Sequence, residues 1–297
     1  EDRELKTIHE ITLKNLKKET LYHYRVISEN VSSEDCTFKT AIKKETPFKF
    51  VVWGDNQTNF LTFTKIVKQM KRHKPDLAIS VGDVVGNGEV YEQWATEFLL
   101  PLRELIKETP FYVAIGNHEK NSSWFYDFIS QPENETYFAF TYGNSRFIIL
   151  NTNFPYKSGT DQGKWLRKEL KSEEYQKATW HFVFFHHPPY CEGWGNPDYE
   201  GEIGVRMFLV PIFEKYKVDI VFNGHAHDYE RGELNGVKYI ITGGGAGGLD
   251  SFQRDFPHIT VYNSVHHFCV VEVNGNKLKF TARDISNKEI DSFVIEK

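Results

Sequence analysis

The chain has 297 residues, enough for one large domain or one plus a small one. Hydrophobic residues make up 40% and charged residues 26%, an ordinary globular composition that can fill a sizeable core. The formal net charge of -5 argues against nucleic acid as a bulk electrostatic partner, and no apolar run reaches the roughly 18 residues of a membrane span. Residues 1–46 alternate apolar and polar side chains in Ile11-Thr12-Leu13, Leu21-Tyr22-His23-Tyr24-Arg25-Val26 and Cys36-Thr37-Phe38-Lys39-Thr40, which predicts short antiparallel strands. Lys43-Lys44-Glu45-Thr46-Pro47 is a polar linker. Strands then alternate with helical patterns. Residues 61–71 carry Phe63, Ile66, Val67 and Met70 near helical spacing, and 90–105 carry Trp94, Phe98, Leu102 and Leu105. Helices are also predicted over 165–170 and 205–216. This alternation predicts parallel strands with helices on their faces. Past Ala226 the pattern turns strand-rich: 237–242, 267–273, 277–283 and 290–295, with Asn274-Gly275 as a hairpin signal. Cys36, Cys191 and Cys269 are scattered and form neither a metal-type pair nor a disulfide framework.

Five apolar runs end on groups that can hold a metal. Residues 48–53 run into Gly54-Asp55, and 77–81 into Gly82-Asp83. Residues 111–115 run into Gly116-Asn117-His118-Glu119, 180–185 into His186-His187, and 218–222 into Asn223-Gly224-His225-Ala226-His227. Such ends on one edge of a sheet are how an α/β enzyme builds a site. Carboxylates, an amide oxygen and neutral imidazoles suit borderline divalent metals such as Zn, Mn or Fe. Asp83 can bridge two ions, and two ions about 3.5–4 Å apart clamp the attacking and leaving oxygens of a phosphoryl displacement. The glycines ahead of the ligands allow close backbone approach. His225 and His227, two apart, point the same way on an extended segment.

These motifs, in this order, resemble the signature of the calcineurin-like metallophosphoesterases. Gly224-His225-Ala226-His227-Asp228-Tyr229-Glu230-Arg231 and His186-His187-Pro188-Pro189-Tyr190 resemble its purple acid phosphatase branch in particular. Leu16-Lys17-Lys18-Glu19-Thr20-Leu21-Tyr22 is similar to the tyrosine-corner segment of a fibronectin type III sandwich, in which the Tyr hydroxyl bonds to upstream backbone. The resemblance implies an α/β fold: a two-sheet αββα sandwich over 47–297, preceded by a partial fibronectin type III-like β segment over 1–46. Only half of such a leader is present, so the chain is expected to start inside a domain. The resemblance implies a first metal held by Asp55, Asp83 and His227, and a second held by Asp83, Asn117, His186 and His225. It implies His118 as general acid or transition-state donor, and in-line attack by a hydroxide bridging the metals.

One position departs from the branch. A tyrosinate ligand is expected three residues after Asp83, where this chain has Gly86. The wider family places a His two after the first Asp; here it is Gln57, whose amide oxygen is a candidate fourth ligand. The expectation is therefore a colourless enzyme with two divalent ions, Mn, Zn or Fe. Its substrate would be a small or exposed phosphate ester, most simply a monoester. The alternatives are a phosphodiesterase acting on cyclic nucleotides or lipid head groups, and a non-catalytic binding module with a decayed metal site. The leader and the branch imply a place outside the cytoplasm. His187, Tyr190 and Tyr229 are candidate substrate-side groups, and His266 or His267 a candidate support for the site. The glycine run 243–248 lacks the Lys-Ser/Thr ending of a phosphate loop and reads as a tight wall beside the metals. Trp124, Phe125, Tyr126 and Phe128 read as core. Of the sequons at Asn30, Asn56, Asn121 and Asn134, the second abuts Asp55, where a glycan would block the site.

Overall fold

Strand β5 (Phe48–Trp53) is apolar on both faces because both faces are covered. Phe48, Phe50 and Val52 point into one buried cluster, Val51 and Trp53 into another. The computed structural model describes residues 7–195 and 198–297.

Four short strands come first: β1 (Leu21–Tyr24), β2 (Ile27–Ser28), β3 (Val31–Ser32) and β4 (Cys36–Lys39). β1 pairs antiparallel with β4 and β2 with β3. The Tyr22 hydroxyl accepts the Lys17 backbone N–H at 2.9 Å, the link back to upstream backbone that the tyrosine-corner resemblance implies. This segment meets the rest through Tyr24, whose hydroxyl donates to the Lys107 carbonyl at 2.8 Å, and through Ile42, which enters the main core.

β5 continues into α1 (Phe60–Arg72), capped by the Asn59 side chain, which accepts the Thr62 N–H at 3.1 Å. Then come β6 (Leu77–Ser80), a helical stretch, and β7 (Phe111–Val113). The stretch comprises α2 (Tyr91–Gln93), a π-helical turn pair (Trp94–Leu99) and α3 (Leu100–Ile106). Further on are α4 (Ser123–Phe128), β8 (Phe138–Tyr142), β9 (Ser145–Ile149), α5 (Asp161–Glu169), α6 (Glu173–Lys177), β10 (Trp180–Phe184), α7 (Ile203–Phe208) and α8 (Val210–Lys215). The chain ends in β11 (Ile220–Asn223), β12 (Tyr229–Leu234), β13 (Val237–Thr242), β14 (Ile259–Asn263), β15 (His267–Asn274), β16 (Lys277–Asp284) and β17 (Glu289–Glu296).

Two sheets result, ordered β17-β16-β15-β5-β6-β7 and β14-β12-β13-β11-β10-β9-β8. β5, β6 and β7 run parallel, as do β9, β10, β11 and β13. The sheets share one apolar layer, in which the Phe50 ring meets Phe147 at 5.2 Å and Phe182 at 5.1 Å, both edge-on. Their outer faces are covered by two separate apolar clusters, one containing α1 and α3 residues, the other α5, α7 and α8 residues. The architecture is the αββα sandwich the motifs imply. Phe125 is fully buried, and Trp124, Tyr126 and Phe128 pack against the first outer cluster, as core residues.

A candidate metal centre

β5, β6, β10 and β11 all point the same way within their parallel pairs, so their C-terminal ends share one edge of the sandwich. Asp55, Asp83 and His225 each stand just past such an end with φ of 57°, 51° and 73°. A non-glycine residue in this left-handed region costs on the order of 1 kcal/mol, a strain that clusters at functional sites. The turn throws each side chain back over the strand end. The neighbouring glycines make room: a Cβ on Gly116 would stand 2.2 Å from Asp83 Oδ1, and one on Gly224 would stand 2.4 Å from Asp55 Oδ2.

Four ligand-type atoms converge at one point. His186 Nε2 lies 3.0 Å from Asp83 Oδ2 and 3.0 Å from Asn117 Oδ1. His225 Nδ1 lies 2.9 Å from the same Asn117 oxygen and 3.3 Å from His186 Nε2. Bonds of about 2.0–2.2 Å hold ligand atoms roughly 2.8–3.1 Å apart at right angles and roughly 3.3–3.6 Å apart at tetrahedral angles, so spacings of 2.9–3.3 Å suit donors around a small cation. Asp55, Asp83 and His186 form an overlapping group on the other side of Asp83. There His227 Nε2 lies 3.6 Å from Asp55 Oδ1 and 3.3 Å from the Gln57 amide nitrogen. Gln57 Oε1 is buried and bonded to nothing. A turn of that amide would exchange its two ends and present the oxygen to His227's side of the site.

Carbonyls set the imidazole tautomers, because a carbonyl only accepts. His186 Nδ1 donates to Val81 O at 2.9 Å and His227 Nδ1 to Gly248 O at 2.7 Å, which leaves each Nε2 lone pair free for a metal. His118 Nδ1 donates to Gly86 O at 2.7 Å, and its Nε2 stands 3.9 Å from Asp83 Oδ2 on a side chain 43% exposed. His187 shares a 2.8 Å hydrogen bond between Nδ1 and the Thr152 hydroxyl, and its ring lies 4.6 Å from that of His225.

Electrostatics follow from burial and close carboxylates. Burial pushes the Asp83 carboxyl up, but the charges of and hydrogen bonds from His186 and His118 outweigh it and hold it at about 2. Burial lowers His186, yet Asp83 and Asp55 raise it to about 10. Burial lowers His227 too, and its hydrogen bond to Asp55 and that carboxylate's charge raise it to about 9. Burial, with the charge of His186 beside them, depresses His187 to about 3 and His225 to about 2. In the bare site two imidazoles thus hold protons where cations would bind, and two stay neutral.

Several structuring residues escape motif reading. Glu119 is fully buried and accepts four backbone N–H groups: Asp83 at 2.9 Å, Val84 at 2.8 Å, Val85 at 3.4 Å and Gly116 at 2.6 Å. It therefore ties the loops after β6 and β7 together. Glu97, in the π-helical turn, accepts Gly86 N–H at 2.7 Å and Thr58 N–H at 3.2 Å. Asp250 accepts the His227 N–H at 2.8 Å. Trp194 stacks on His225 with ring centres 4.6 Å apart and planes at 28°. Only Glu119 sat inside a motif; a lone Trp between two glycines carries no signal of its place.

The glycine run is the wall expected: Gly245 N–H donates to Gly54 O, and the Ala246 and Gly247 N–H groups to Asp55 O, each at 2.9 Å. His266 Nδ1 approaches Gly244 O at 3.3 Å, so it touches that wall rather than a ligand. Asn56 is fully buried, with its amide donating to Val84 O at 2.9 Å, so no glycan can sit there. Two substrate-side expectations need correction. Tyr229 is fully buried between the sheets, and its hydroxyl donates to Asp291 at 2.6 Å. As the first residue of β12 its alternation turns it inward, away from the ligands. The Tyr190 ring packs edge-on to Phe256 and His258 beneath the Arg206 guanidinium, outside the ligand cluster.

A family model described as calcineurin-like phosphoesterase matches residues 48–229. The chain therefore belongs to the calcineurin-like phosphoesterase family. Within it, the chain is similar to purple acid phosphatases. It is 30% identical to purple acid phosphatase 21 of Arabidopsis thaliana over 75% of this chain and 53% of that protein. It is 25% identical to probable inactive purple acid phosphatase 1 of the same plant, over 98% of this chain and 58% of that one. A purple acid phosphatase from yellow lupin (Lupinus luteus) seeds has the same fold, with a TM-score of 0.84 at 22% identity over 96% of this chain and 61% of that one. The chain thus spans little more than half the length of the curated relatives it matches.

Proposed function

We propose that this chain hydrolyses phosphate monoesters at a binuclear centre of divalent ions. The observation that carries this reading is the convergence of Asp83, Asn117, His186 and His225 on one point, with Asp55, His227 and Gln57 beside it across Asp83. The donors fit the group: nitrogens and oxygens without sulfur, tautomers fixed by carbonyls, and one orphaned amide oxygen. Asp83, Asn117, His186 and His225 would hold one ion, and Asp55, Asp83, His227 and Gln57 the other. Bound there, such ions supply a nucleophilic water at neutral pH and positive charge for the phosphate oxygens.

The remaining steps belong to side chains. His118 keeps Nδ1–H on Gly86 O, so only Nε2 can meet substrate, and in its protonated form that nitrogen delivers a proton to the leaving oxygen. Its backbone N–H fixes Asp83 Oδ1 at 2.8 Å, coupling the acid to the shared carboxylate. His187, held by Thr152, orients a hydrogen bond to the phosphate from the other side. Trp194 and the glycine run limit water around His225 and Asp55. A place outside the cytoplasm, and a domain division at residues 46 and 47, belong to the same proposal and rest on the fibronectin-like leader.

p-Nitrophenyl phosphate compared with its bis-ester tests the substrate class. Faster turnover of the monoester is expected; preference for the bis-ester favours a diesterase. Three matched relatives are named probable inactive purple acid phosphatases, which favours the non-catalytic module as second reading. Absence of turnover on both esters with metals loaded would select it.

A further inference from the structure

The three candidate ligand imidazoles are held in two different ways. His186 and His227 each donate Nδ1–H to a backbone carbonyl and turn Nε2 to the site. His225 is reversed. Its Nδ1 faces Asn117 Oδ1 at 2.9 Å and His186 Nε2 at 3.3 Å, and among the described residues its Nε2 meets no hydrogen-bond partner. The His225 backbone is tied, because its N–H donates to Asp55 Oδ2 at 3.0 Å, but no carbonyl ties the ring. Four other rings approach it, with centres at 4.6 Å for Trp194, 4.6 Å for His187, 5.1 Å for His186 and 5.3 Å for Tyr199. Their planes lie at 28°, 53°, 77° and 69° to it, so of the four only Trp194 stacks nearly flat on His225.

The backbone that carries Trp194 is fixed at each residue from Glu192 on. Glu230 Oε1 accepts Glu192 N–H at 2.7 Å and Gly193 N–H at 2.9 Å. Glu192 O accepts Gln253 N–H at 2.8 Å, and Trp194 N–H donates to Ser251 O at 3.2 Å. Position 193 has room only for glycine, since a Cβ there would stand 1.8 Å from Asp228 Oδ2. The 248–253 segment therefore serves two ligands: His227 through Gly248 O and the Asp250 carboxylate, and His225 through its hold on Trp194. We propose that Trp194 is a positioning residue whose ring, in place of a carbonyl, keeps the His225 imidazole turned with Nδ1 toward the ion beside Asn117. This rests on the binuclear reading above and adds a difference between its two ions. The ion beside Asn117 depends on a ring contact, and the ion beside Gln57 on hydrogen-bonded ligands.

Two variants separate stacking from mere filling: Trp194→Leu keeps apolar bulk without a flat face, and Trp194→Phe keeps a flat face. Zinc titration of the metal-free protein, with anomalous peak heights from crystals equilibrated at sub-saturating zinc, reads the two positions separately. In Trp194→Leu the affinity beside Asn117 should fall about 10-fold while the affinity beside Gln57 holds. Trp194→Phe should bring the first affinity back to within about threefold of the unaltered protein. Equal weakening at both positions, weakening at neither, or a Phe variant no better than the Leu variant overturns the proposal. Fluorescence decides the matter if the Leu variant does not fold. The emission that the unaltered protein has and Trp194→Phe lacks should be quenched by cobalt(II), and an unquenched difference overturns the proposal. Failure of the binuclear reading looks different: the unaltered protein then takes up no zinc at either position, whereas two bound ions with equal responses overturn the role of Trp194 alone.

Discussion

At the scale of single residues the account depends on who holds a proton. In the metal-free protein His186 is raised to about 10 and His227 to about 9, against burial, by Asp83 and Asp55. A group whose folded value lies above its unfolded value of about 6.5 stabilises the fold fully below that pH. The contribution is lost as pH rises through the folded value. The melting temperature of the metal-free protein should therefore fall between pH 6.5 and 10. The metal-loaded protein should not follow it, because cations replace those two protons. A metal-free Tm that stays flat or climbs through this window contradicts the charge assignment. Asp83 serves both halves of the site, so Asp83→Ala should reduce metal affinity by at least about 100-fold and turnover with it. Full turnover of that variant at saturating metal would remove Asp83 from the centre. Gly86 makes a third case. A Cβ there would stand 3.4 Å from both Gln93 Oε1 and Glu97 Oε2, with Glu97 already bonded to the Gly86 N–H. No phenolate reaches the first metal from this position, so the loaded protein is expected to be colourless. A charge-transfer band in its visible spectrum would show that a tyrosinate arrives from elsewhere.

At the scale of elements the site is a set of strand ends held in register by buried carboxylates. Glu119 takes four N–H groups from the loops after β6 and β7. Glu119→Ala leaves those donors unpaired and should cost at least about 3 kcal/mol of stability, together with weakened metal binding. Denaturant unfolding and metal titration measure the two effects, and a loss under 1 kcal/mol would deny Glu119 this role. The sequence made the strand ends readable because five apolar runs each stop at a ligand-type residue. β5 and β13 match the ranges read, and α1 exceeds its range by one residue at each end. The hairpin of β8 and β9 is not legible in the sequence, because β9 is buried on both faces and shows no alternation. β12 begins inside a motif string, so its alternation is masked in the sequence and Tyr229 reads as a pocket residue although the strand turns it into the core. The candidate ligands are legible because each stands at the end of an apolar run; Trp194, Glu97 and Asp250 reach the site through contacts between distant segments, which no spacing rule encodes.

At the scale of the whole molecule, two sheets share one aromatic layer and place two sets of parallel strand ends on a common edge. Asp55 and Asp83 come from one sheet, His186, His225 and His227 from the other. The centre therefore exists only while the sheets stay packed, and ions bound across it should in turn stabilise that packing. Among the described residues no helix is long and apolar enough to cross a membrane. The measurement that tests the central claim most directly is metal quantification on the purified protein after dialysis with a divalent ion. Two ions per chain are predicted, falling to one or none in Asp83→Ala; no bound ion in the unaltered protein would contradict the account.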